Sequence, residues 1–122
     1  MRKHFVTFGA LALVVAFAAL FFSGRRESQP MDVVASRVGL SAEELIAMVP
    51  RISSATGATM GTSRRVVYLL ACSGVPKGLA FEGHATRAAD IAEKQRVTPR
   101  EAATTVLGAM KSVDGSAVLS NC

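Results

Sequence analysis

The chain has 122 residues, 50% of them hydrophobic, with 14 Lys+Arg against 9 Asp+Glu and a formal net charge of +5 at pH 7. That length holds one small domain, and the apolar fraction excludes a disordered chain. The averages conceal two parts. Residues 1–30 carry five of the six Phe, and Arg2, Lys3, Arg25 and Arg26 stand there against Glu27 alone. The basic excess therefore flanks a greasy segment, and nucleic acid is not an expected partner.

Phe5 to Phe22 is an uncharged run of eighteen residues in which only Thr7 and Gly9 are not apolar. As a helix it would reach roughly 27 Å, the thickness of a bilayer's hydrocarbon core. A small soluble remainder could not cover such a helix on all sides. Residues 1–24 are therefore expected to be a single transmembrane helix, either a membrane anchor or an uncleaved signal. The alternative is a secretion signal cut near Ala16-Phe17-Ala18, a small-x-small pattern. Against cleavage, Ala19-Leu20-Phe21-Phe22 stays apolar and Arg25-Arg26 closes the run. Arg2, Lys3 and the amino terminus favour a cytoplasmic N-terminus. Residues 27–122 are then periplasmic or otherwise extracytoplasmic. Within the run Gly9, Ala12, Ala16 and Ala19 share one helical stripe, the pattern that lets membrane helices pack closely.

Residues 25–30 are polar and charged and end in Pro30, which suits a juxtamembrane linker. Residues 31–122 are expected to form a small, Ala-rich, all-α domain of four to five short helices. Met31 to Val38 reads as a short helical piece ending at Gly39. Ser41-Ala42-Glu43-Glu44 is a capping box, and Pro50 is expected to stop the helix over 42–49. Ser53 to Ser63 reads as a loop from its Ser, Thr and Gly. Val66 to Cys72 is a continuous apolar run that fits a buried helix or a buried strand; the helical neighbours favour helix over 64–72. Ala85 to Arg96 reads as a helix, with Arg87/Asp90 and Asp90/Lys94 spaced for ion pairs. Thr98-Pro99-Arg100-Glu101 combines a cap residue, Pro at the first helical position and Glu at the third. The helix it opens is expected to run to Gly115.

Both cysteines lie beyond the apolar run, and a pair in an oxidising compartment points to a Cys72–Cys122 disulfide. A core with many Ala and two aromatics buries little area per side chain, so a covalent staple has a clear use. Other features carry less chemistry. Cys72 with His84 as base would be a minimal nucleophile pair, and Glu82-Gly83-His84 reads as a solvated turn. Gly57 to Arg65 resembles a phosphate loop only in its glycines and lacks the Gly-Lys-Ser/Thr core, although the amides of Thr62–Arg65 would suit an anion at a helix start. Arg51, Arg64, Arg65 and Lys77 are candidates for a basic patch. Neither a catalytic set, a metal-ligand set nor a cofactor motif stands out. The expectation is a non-enzymatic accessory or structural subunit of a cell-envelope complex, partnered by the membrane and another membrane or envelope protein. The alternative is a cleaved, exported helical binding module acting as chaperone, inhibitor or small-ligand carrier.

Overall fold

A computed structural model of the chain describes residues 29–110, 114–120 and 122. The expected transmembrane helix over 1–24, with Gly9, Ala12, Ala16 and Ala19, lies outside these residues, as does most of the linker. The described residues form six α-helices and a 3₁₀ turn, with no strand: α1 Met31–Arg37, α2 Ala42–Thr56, α3 Met60–Ser73, the turn Gly78–Ala80, α4 Phe81–Gln95, α5 Pro99–Ala109 and α6 Gly115–Val118. No helix among them is long and apolar enough to cross a membrane. The all-α expectation holds, with more helices than the four or five expected.

Helix α3 is the centre of the domain and packs against α1, α2, α4 and α5. Neighbours on every side explain why Val66 to Cys72 is buried without a break. A helix covered all round shows no amphipathic period, which is why its sequence reads equally as strand. Tyr68 and Phe81 are the largest fully buried side chains. Around them α4 presents Ala85, Ala88, Ala89 and Ala92, and α5 presents Ala102 and Ala103. Small side chains let these two helices sit closely together.

Local rules explain most helix ends. The capping box forms in full: Ser41 Oγ accepts from the Glu44 amide at 3.1 Å, and Glu44 Oε1 accepts from the Ser41 amide at 3.3 Å. Thr98 Oγ1 accepts from the Glu101 amide at 3.1 Å with Pro99 behind it. The short α1 ends on a paired motif, the Gly39 amide donating to Ser36 O and the Leu40 amide to Ala35 O, with Gly39 at φ 74°. That arrangement satisfies carbonyls that the helix end would leave open.

Four expectations need correction. Helix α2 does not stop before Pro50 but continues through it to Thr56. Pro50 has no N–H for the Ile46 carbonyl, but both residues lie on the exposed side of the helix, where an unpaired carbonyl costs least. The buried Ile52 then holds the last turn against the core. The stretch 53–63 is consequently not one long loop: only residues 57–59 lie between the helices. Its polar residues are caps: Thr56 Oγ1 donates to Ile52 O at 2.8 Å, Ser53 Oγ donates to Ala58 O at 2.6 Å, and Thr59 Oγ1 accepts from the Thr62 amide at 3.1 Å to open α3. Helix α4 starts at Phe81, so Glu82-Gly83-His84 is its first turn and not a solvated loop. The buried Phe81 draws that turn onto the domain. Lastly, α5 ends at Ala109, and Gly115 opens α6 instead of closing α5. Gly115 lies so close to α5 that a Cβ there would sit 2.5 Å from Thr104 O.

Candidate functional site

The two cysteines meet. Cys72, in the last turn of α3, is bonded to Cys122 beyond α6, with their Cα atoms 6.1 Å apart. Cys72 thus has no thiol, and the Cys72/His84 nucleophile reading is overturned. The bond closes the chain at a crowded end of the domain. Arg37, from the last turn of α1, donates through Nη1 to Cys72 O at 2.9 Å and reaches Cys72 Sγ at 3.7 Å. A cation on the last carbonyls of a helix is favourable electrostatically. The same guanidinium donates through Nη2 to Gln29 Oε1 at 2.6 Å, and the Gln29 amide donates to the Tyr68 hydroxyl at 3.1 Å. The chain therefore joins the domain at a fixed point beside the disulfide. On the far side of the bond, Leu119 is fully buried and its carbonyl accepts from Arg100 Nη1 at 2.9 Å.

Two residues of the expected basic patch, Arg51 and Arg65, have neighbours of their own. Arg51 forms a two-pronged ion pair with Glu82, Nη2 to Oε1 at 2.6 Å and Nε to Oε2 at 3.2 Å, which joins α2 to the start of α4. Hydrogen bonding from Arg51 holds the Glu82 carboxyl below the usual carboxylate range, and the Arg51 guanidinium is raised in return. Glu82 is thus the partner of Arg51. The Arg65 guanidinium lies 5.6 Å from the Tyr68 ring centroid. Lys94 pairs with Asp90 at 2.9 Å, as the spacing predicts. The anion reading of the α3 start also falls: the Thr62 amide donates to Thr59 Oγ1 and the Ser63 amide to Thr59 O. Among the described residues no three His, Cys, Asp or Glu side chains gather to hold a metal.

Among the shallow surface grooves lined by described residues, two combine apolar and charged side chains. One, of about 260 Å³, is lined by Met31, Ile46, Val49, Met60, Gly61 and Arg64. Ile46 and Met60 are exposed there to 58% and 54%. The other, of about 280 Å³, runs along the Arg51–Glu82 pair and includes Leu40, Met48 and a fully exposed Leu79. Neither groove follows from a sequence motif. Ile46 sits in an apolar cluster with Leu45, Met48 and Val49, and a helical wheel places it off the buried face, which is the signal that would have marked it. The Gln29–Arg37–Tyr68 arrangement depends on Tyr68, 39 positions from Gln29, and had no local signature. Comparison with family models, with curated proteins and with solved structures found no match to this chain.

Proposed function

We propose that the protein is a single-pass membrane protein whose small helical domain serves as an accessory or structural subunit of a cell-envelope complex, without catalytic activity of its own. Residues 1–24 form the anchor, the N-terminus is cytoplasmic, and the domain lies on the periplasmic or equivalent side. The observation that carries this reading is the Cys72–Cys122 bond placed beyond an uncharged eighteen-residue apolar run. A structural disulfide persists in an oxidising compartment, and the run supplies the route there. The small-residue stripe Gly9, Ala12, Ala16 and Ala19 gives the anchor a face for another membrane helix.

The test is extraction and capture of the full chain from native membranes. The chain resists alkaline extraction, retains Met1 by mass spectrometry, and brings a membrane or envelope protein with it in mild detergent. Release at alkaline pH, or a mature chain that captures nothing, removes the accessory-subunit reading. A mature N-terminus near Ala19 instead establishes the exported binding module, whose domain would keep the whole Gln29 attachment.

A further inference from the structure

We propose that the groove formed by Met31, Ile46, Val49 and Met60 is a membrane-resting face, in which Ile46 and Met60 enter the interfacial layer of the same bilayer that holds the anchor. The inference rests on the anchored reading above and adds an orientation to it. Four observations lead there. The groove exposes two large apolar side chains over a floor containing the nearly buried Val49, a surface that water solvates poorly. Met31, one wall of the groove, is two residues from Gln29, whose amide and side chain are held by Tyr68 and Arg37. Met31 thus brings the start of the described chain to one wall of this groove.

The length of the preceding linker supplies the third observation. Phe22 and Gln29 are seven residues apart, so even fully extended chain spans only about 24 Å. The headgroup layer occupies about 5–8 Å of that distance on each side of the bilayer. A domain held so close meets the membrane at high effective concentration, and a weak apolar contact becomes populated.

The size of the patch is the fourth. Four apolar side chains are far fewer than the 20–30 residues a side of a stable protein interface. A second copy or a partner protein would have to recruit much more surface, whereas a lipid surface needs no matching shape. Charge does not drive the contact: Arg64 lines the groove, but exposed Asp32 and Glu43 follow Met31 and precede Ile46. Zwitterionic lipid is enough.

The protein has no Trp, so one introduced indole reports its own surroundings. The full chain carrying Met60→Trp is reconstituted into phosphatidylcholine vesicles with brominated acyl chains. A second chain carries Thr105→Trp on α5, which packs on α3, α4 and α6 and exposes Thr105. Both positions are on the surface, so the fold tolerates the change, and flotation with the vesicles reads the anchor separately. Brominated lipid is expected to lower the indole emission of the Met60→Trp chain roughly twofold while leaving that of the Thr105→Trp chain unchanged, the depth expected of an interfacial side chain. Adding Ile46→Ser to the Met60→Trp chain reduces that quenching. Floating chains whose indoles are quenched alike, or not at all, overturn the groove proposal and leave the anchor standing. Blue-shifted but unquenched emission from the Met60→Trp chain identifies a protein occupant and also overturns it. A chain that fails to float removes the anchor, and the proposal with it.

Discussion

Breaking the disulfide is the sharpest perturbation available. Cys122→Ser frees the end of a loop with a sequence separation of 50 that contains α4, α5 and α6. Loop-closure entropy for that length is worth about 4 kcal/mol on the chain-entropy account. The native side gives back little, because Leu119 stays buried and its carbonyl keeps Arg100, so α6 still docks. Typical domains hold only about 5–15 kcal/mol in all, and this one has an Ala-rich core, so the loss is a large share of its stability. Urea unfolding of the full chain in mild detergent, followed by far-ultraviolet circular dichroism, measures it. Cys122→Ser and Cys72→Ala are each expected to lower the unfolding free energy by about 3–4 kcal/mol. The double variant falls no more than about 1 kcal/mol further, since both single changes remove one linkage. Variants within about 1 kcal/mol of the oxidised parent would refute the idea that the staple compensates for a weak core.

Three further outcomes follow from particular positions. Gly115→Ala forces a methyl into the Thr104 carbonyl of α5 and is expected to cost about 1–3 kcal/mol, read in the same titration; a neutral result would mean that α6 does not sit against α5 as described. Arg96 ends α4 with φ 56° and ψ 41°, a left-handed conformation that disfavours a side chain, and Arg96→Gly is expected to raise stability by about 0.5–1 kcal/mol after the flexibility of glycine is offset. Because Arg51 lowers the Glu82 pKa, that ion pair stabilises the fold above the ordinary carboxylate value near 4.5 and is lost as pH falls through the lowered folded value. Glu82→Gln is therefore less stable than the parent at neutral pH and converges with it as pH falls below the lowered folded value, with the gap narrowing in high salt; a gap independent of pH would contradict the pairing.

The sequence was most legible where a signal was local. The Ser41 capping box, the Thr98-Pro99 start and the Asp90–Lys94 pair each depend on side chains within four residues, and all three stand in the structure. It misled where tertiary packing outweighed local preference. Pro50 looks like a stop, yet burial of Ile52 carries α2 past it. The Ser/Thr/Gly content of 53–63 looks like a loop, yet those side chains satisfy the ends of two helices. The Cys72–Cys122 pairing was inferred from number and expected compartment, with no geometry behind it. Arg37 and Tyr68 were not singled out as holding Gln29, because Tyr68 lies 39 positions from Gln29, and Arg37, eight positions from it, is itself held by Cys72, 35 positions on. The apolar groove escaped for a related reason: Met31, Ile46 and Met60 belong to three helices, and each alone reads as an ordinary hydrophobic residue.

The account's central claim is that everything beyond the anchor resides in an oxidising compartment. Acid-quenching cells that express the full chain, then alkylating with a bulky maleimide before and after reduction, tests it most directly. The account predicts no mass shift before reductant and labelling of both Cys72 and Cys122 after it. Immediate labelling of both in the quenched, unreduced sample would place the domain on the reducing side and contradict the anchor's orientation, the staple and the proposed role together.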